Sequence, residues 1–216
     1  MPPTIPGSSP PAPRAPWTVE CDAVLWVSRP GPAAFTTLPP SLRGSRVLAV
    51  VGALVRYSAT PVGPYAEVLG AVGGVGRGGL WASVSFMAVD SVASLVGGRR
   101  NWALPKTLGA FEGEVADGRP MTATGPNGTR WRVSATPTAV GPALPARGVG
   151  VLRQQFPGAR VGQSTLQARG RVRPALVTVE VESDGPLAGW LRPGRHLGGV
   201  VERATVTVGE PRFGPP

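Results

Sequence analysis

The 216-residue sequence predicts a mainly β protein, an antiparallel barrel or sandwich carrying one or two short helices. Three observations point there. Apolar residues fall on alternate positions at Trp17, Val19, Cys21, Ala23, Leu25 and Val27, the period of a half-buried strand. Valine-rich runs recur between clusters of glycine and proline, as strands do between tight turns. No stretch sustains the 3.6-residue apolar period of a long amphipathic helix.

The elements follow in order. Met1 to Pro16 is mostly Pro, Ser, Ala and Gly without an apolar run, so residues 1–16 are expected to form a flexible arm before a single domain, residues 17–216. After the first strand, Arg46 to Tyr57, Tyr65 to Val72 and Leu80 to Val89 read as strands, the last two separated by a glycine run, Gly73 to Gly79, expected to be a flexible turn. That run lacks the Lys-Ser/Thr ending and following helix of a phosphate cradle. Asp90 is placed to cap a short helix, Ser91 to Val96, with Gly97-Gly98 as its stop. Met121 to Thr124 and Thr129 to Ser134 flank an Asn127-Gly128 pair, which predicts a hairpin. Leu166 to Arg173, Ala175 to Ser183 and Val200 to Val208 complete the strands.

Composition narrows the function classes. The net charge of +10 invites a nucleic-acid reading, but the arginines are scattered from Arg14 to Arg212. No basic block is interleaved with aromatics and no helix-turn-helix or RNP-like motif occurs, so specific nucleic-acid binding is not expected. No segment approaches the ~18–20 apolar residues that span a bilayer, and none resembles a signal-peptide core, which predicts a soluble, cytoplasmic protein. Cys21 is the single cysteine and His196 the single histidine, so neither a disulfide framework nor a multi-histidine metal site is expected, and no motif asks for a cofactor. Cys21 reads as a small core residue, and His196 as a surface residue in a turn. Trp26, Trp81, Trp131 and Trp190 are expected to pack the interior. Trp102, four residues before Lys106, is placed to line a pocket there.

Lys106 is the only lysine among 22 basic residues. A surface cation can be either Arg or Lys, whereas a site that needs a deprotonatable amine cannot use Arg. The stretch around it, Phe86 to Phe111, contains Val89-Asp90, Gly98-Arg99 and Pro105-Lys106, and Pro64-Tyr65-Ala66-Glu67 lies upstream. In order and spacing these residues resemble the acetoacetate decarboxylase family, from about Tyr65 to Phe111. The resemblance implies a cone-like antiparallel β-barrel with an interior pocket, assembled into a homo-oligomer. It also implies that Lys106 condenses with the carbonyl of a small keto acid, with Glu67 handling protons and Arg99, Arg100, Trp102 and Tyr65 lining the pocket or positioning the loop. A free lysine has pKa ~10.4, so roughly one in two thousand is a neutral nucleophile at pH 7. Burial or a nearby cation disfavours the ammonium form, the latter being the device known from acetoacetate decarboxylase itself.

The sequence also departs from that pattern. Thr107 stands where the family has a second lysine, and Arg100 where it has an acid after Gly-Arg. A second pocket glutamate would fall near Gly52, and an N-terminal pocket arginine near Glu20 to Asp22; neither is present. These losses support an alternative expectation, a non-catalytic β-barrel that binds an apolar small molecule.

Overall fold

The computed structural model describes residues 12–76, 79–126 and 131–214. Twelve strands form one sheet: β1 (Trp17–Ser28), β2 (Val47–Ala59), β3 (Tyr65–Gly76), β4 (Gly79–Val89), β5 (Lys106–Leu108), β6 (Ala110–Glu112), β7 (Met121–Thr124), β8 (Trp131–Ala139), β9 (Leu144–Gln155), β10 (Val161–Ser183), β11 (Gly194–Val208) and β12 (Arg212–Phe213). Three helices interrupt them: α1 (Pro32–Thr36), α2 (Val92–Trp102) and α3 (Leu187–Leu191). The mainly β class is as the sequence predicts.

The sheet closes on itself. One ring runs β11-β1-β2-β3-β4-β9-β10 and returns to β11. Its weakest seam is the parallel β4–β9 contact, where only Trp81↔Val151 and Ala82↔Leu152 pair. Gln154 reinforces it by behaving like an extra stretch of strand. Its Oε1 accepts from Val84 N–H (3.0 Å) and Ser83 Oγ (2.7 Å), and its Nε2 donates to Val84 C=O (3.0 Å). β5 pairs parallel to β4 and runs on in sequence to β6, the end strand of the ladder β6-β7-β8-β10.

Closure buries both faces of the central strands. On β3, Ala66, Val68 and Val72 join Val24, Trp26, Leu54, Met121, Val133 and Val177 in the larger core. The opposite face presents Tyr65, Glu67 and Leu69 towards smaller clusters built on Trp17, Val19, Cys21, Val55 and Met87. The β1 alternation holds at Trp17, Val19, Cys21 and Ala23, while Val24 and Trp26 are fully buried behind it. Val27, expected inside, is 42% exposed, because beyond Ala23 the buried positions shift to Val24, Trp26 and Ser28.

Several boundaries differ from expectation. The helix is α2, Val92–Trp102, nearly twice the predicted length and passing through Gly97-Gly98. Those glycines permit close approach rather than termination: a Cβ on Gly97 would collide with the Trp17 ring, and one on Gly98 with Lys106. The cap is Ser91, whose Oγ accepts from Ser94 N–H, not Asp90. Gly73, Gly74 and Gly76 belong to β3 rather than to a turn, because the backbone at Arg46 and Trp81 presses against Gly74 and Gly73. Residues 77–78 of that run, and the Asn127-Gly128 pair, lie outside the described residues, although β7 and β8 on either side do pair antiparallel. The two strands expected around Pro174 are one, β10: its partner on one edge changes from β9 to β8 there, so the missing N–H breaks no ladder. His196 sits in β11 rather than in a turn, its ring 2.8 Å from Arg192 O. Residues 1–11 of the expected arm are likewise outside the described set. Ala12 is buried, and Pro13 C=O accepts from Trp17 Nε1 and Asn101 Nδ2, so the last residues before β1 pack on α2.

Candidate active site

Lys106 reaches its position through a tightly specified loop. Helix α2 ends with Ala103 in the left-handed region (φ 51°), its N–H returning to Arg99 O while Leu104 N–H returns to Gly98 O. Pro105 then biases Leu104 towards extended backbone, and Lys106 opens β5 opposite Met87. Arg99 Nε donates to Lys106 C=O at 2.8 Å and fastens the loop to the helix it has just left. The expected loop-positioning role of Arg99 therefore has a definite contact.

The Lys106 side chain runs inward. The residue is 3% exposed, and an added Cβ on Gly98 would stand 2.5 Å from Lys106 Cε and 2.7 Å from Cδ. A glycine is thus the residue that lets the lysine stem lie flat on α2. Nζ donates to Glu67 Oε2 at 2.8 Å and to Ser94 Oγ at 2.8 Å, and it lies 5.1 Å from the centre of the Tyr65 ring. Glu67, 2% exposed, receives a second bond at Oε1 from Tyr57 Oη (3.0 Å). Asp90, freed from capping, accepts from Ala66 N–H at 2.8 Å and fixes β3 beside Glu67.

Neutral groups frame this ion pair. The Tyr57 and Tyr65 rings stack at 4.5 Å. Burial, then the charge of Glu67, pushes the Tyr57 phenol well above its usual range and the Tyr65 phenol likewise, so both remain donors. Cys21 is buried on the same side; desolvation first, then Asp22 and Glu67, push its thiol up to about 12. The arrangement can do acid–base work at an amine: a nucleophile and a carboxylate in direct contact, in surroundings that hold little water.

The structure brings Lys106, Glu67, Tyr65 and Arg99 together. It does not add Arg100, which is exposed, or Trp102, whose indole packs edge-on against Trp17 and donates to Gly209 O. Thr107 Oγ1 donates to Met87 C=O and supplies no charge. The space beside Gly52 is filled by the Trp26 ring. Sequence reasoning missed Tyr57 and Ser94. Ser94 lies four residues before Gly98, hence on the same helix face, a signal visible once α2 is known to continue through the glycines.

No family model and no curated protein matches the sequence. Solved structures do match the fold. Acetoacetate decarboxylase from Legionella pneumophila subsp. pneumophila str. Philadelphia 1 superposes with a TM-score of 0.69 at 13% identity, covering 98% of this chain and 94% of its own. The enduracididine biosynthesis enzyme MppR, in its complex with pyruvate, gives 0.68 at 15% identity over 96% of this chain and 93% of its own. An acetoacetate decarboxylase-like enzyme from Sphingomonas wittichii RW1 gives 0.58 at 17% identity over 93% and 92%. This chain therefore has the acetoacetate decarboxylase-like fold that the residues from Tyr65 to Phe111 led us to expect.

Proposed function

We propose that the protein is an enzyme in which Lys106 forms an imine with the carbonyl of a small keto acid, leading to decarboxylation or a related aldol or dehydration step. The observation that carries this reading is the buried contact between Lys106 Nζ and Glu67 Oε2, 2.8 Å long with both side chains nearly inaccessible. Breaking or burying such a pair is costly, and structural stability alone is better served by apolar side chains. The fold is one in which a decarboxylase and a pyruvate complex occur, which supports the same reading.

Glu67 takes a proton from Nζ, whose lone pair forms the C–N bond while the carbonyl π pair moves to oxygen. A proton from solvent on that oxygen and loss of water leave an iminium, with Glu67 still protonated. For a β-keto acid, the C–C bond to the carboxylate then breaks, carbon dioxide leaves, and the electron pair moves through the iminium to give an enamine. Glu67 then gives its proton to carbon, and water adds to the iminium and releases the ketone and the Lys106 ammonium, restoring the ion pair. Tyr57 holds Glu67 by its second oxygen, and Ser94 is the partner that Nζ exchanges for substrate.

Hydrogen–deuterium exchange at the carbon next to the carbonyl tests this, because every imine–enamine route shares it. Acetoacetate and pyruvate incubated with the protein in D2O should exchange faster than in buffer, and Lys106→Arg should remove the acceleration. Equal exchange with the variant would defeat the proposal. Thr107, whose hydroxyl donates to Met87 C=O, supplies no charge next to the lysine and favours the second reading, an apolar-ligand binder. That reading expects Lys106→Arg to retain ligand affinity.

A further inference from the structure

A second site stands apart from Lys106, on the exposed face of β9, β10 and β11. Arg147, Arg169, Arg171 and Arg203 line one concavity of about 350 Å³. An adjoining concavity of about 370 Å³ shares Arg147, Arg169 and Thr205, and adds Thr18 and Gln167.

The backbone is shaped to bring these side chains together. β11 carries one extra residue here. Two steps along β1, Cys21 to Ala23, face three along β11, Ala204 to Val201, and two along β10, Arg169 to Arg171, face three from Thr205 to Glu202. The bulge falls at Arg203, in the left-handed region at φ 49°, its N–H bound by Asp22 Oδ1 at 2.7 Å. Glycine is the usual occupant of a bulge position with positive φ. An arginine held there against its backbone preference points to a use for the side chain. Gly170 opposite allows the close approach, since a Cβ there would stand 2.8 Å from Ala204 Cα.

The acids nearby, Asp22, Asp117 and Glu202, line a separate neighbouring concavity with Arg203 and Arg173. Arg147 and Arg169 are direct cross-strand partners, an arrangement that repels. Glu202, in register with Arg171, is held by Arg173 at 3.1 and 2.9 Å. Arg171 itself donates to Ala143 O. Among the described residues, no ion pair includes any of the four arginines lining the concavity.

We propose that this concavity binds a multivalent oxyanion, a phosphoryl or diphosphoryl group either free or carried on a small molecule. Guanidinium forks match phosphate oxygens two at a time. The concavity is open to solvent with a volume at the small end of ligand sites, and its lining contains no aromatic side chain on which the bases of a single strand would stack. Thr18, Thr205 and Gln167 offer further hydrogen bonds to a substituent.

Calorimetric titration of the full chain with inorganic pyrophosphate, at ionic strength fixed with sodium chloride, tests the site. One saturable site is expected. Arg169→Gln and Arg147→Gln should each weaken it at least roughly tenfold, the loss of one charge-assisted bond. Arg132→Gln, which removes an exposed arginine on β8 paired with Glu180 and Glu182, should not. Without ligand, Arg169→Gln should melt no lower than the parent, because a repulsion is relieved. Tighter binding of a nucleoside diphosphate than of pyrophosphate would identify a phosphate ester as the ligand, and equal binding free phosphate. The proposal is overturned by the lack of a saturable heat, by equal weakening in Arg132→Gln, or by affinity confined to long oligonucleotides.

Discussion

Removing the two members of the buried pair singly and together separates chemistry from stability at the candidate site. Glu67→Leu leaves Nζ with Ser94 as its hydrogen-bond partner, and Lys106→Met leaves a carboxylate with Tyr57 alone. Both side chains are almost wholly enclosed, 4% and 3% exposed, so solvent cannot compensate. Breaking such a pair costs about 3–5 kcal/mol. For a chain of this size that corresponds to a fall in Tm of roughly 6–20 °C. The double variant buries no charge. It leaves the Tyr57 and Ser94 hydroxyls, which keep the Tyr65 hydroxyl as a hydrogen-bond partner, so less is lost than with an unpaired buried charge. It should therefore unfold at higher urea than either single variant, while all variants lacking Lys106 form no imine. Urea midpoints on the four proteins supply the cycle. Single-variant costs that simply add, with a coupling below about 0.5 kcal/mol, would refute the reasoning.

Other consequences follow from individual contacts. Gly98→Ala should lower the urea midpoint, because displacing Nζ from Glu67 costs about 3–5 kcal/mol and outweighs a gain in helix propensity of ~1 kcal/mol; imine formation should fall with it. Gln154→Leu should cost about 2–4 kcal/mol by orphaning the Val84 backbone and Ser83 at the β4–β9 seam, with imine formation unaffected in the folded fraction. Cys21 titrates near 9.0 when unfolded and at about 12 when folded, so the native state holds its proton more tightly. Stability from this group is complete below pH 9 and declines as pH rises towards 12, and Cys21→Ala should flatten the decline in urea midpoint between pH 8 and 10.5. For the same reason, a thiol reagent at pH 8 should label Cys21 only after unfolding.

The strands were legible where one face of the sheet is dry and the other wet, as at Trp17 to Ala23. They were less so where closure buries both faces, since Val24 and Trp26 then break the alternation. β9 was invisible because its stretch Leu144–Gly150 is largely exposed, and an exposed strand carries no apolar period. Gly97-Gly98 reads locally as a helix stop; its actual cause, the Trp17 ring and the Lys106 stem, comes from residues about 80 positions earlier and about eight later. Lys106 and Glu67 could be singled out because their residue types and spacing match a known pattern. Tyr57 could not, because its link to Glu67 exists only through the β2–β3 register, Tyr57↔Tyr65. Trp102 was read as a pocket residue from its nearness to Lys106 in sequence, yet the three intervening positions, Ala103 to Pro105, turn the chain at the end of α2, and the indole packs against Trp17.

Because Lys106 is the single lysine, the chain has one side-chain amine, and reductive trapping can be counted by mass. Incubation with acetoacetate or pyruvate followed by borohydride should add one reduced imine per chain, mapped to the peptide that contains Lys106 and slowed in Glu67→Gln. A panel of small keto acids that leaves Lys106 unmodified, with adducts only at the α-amino group, would contradict the account.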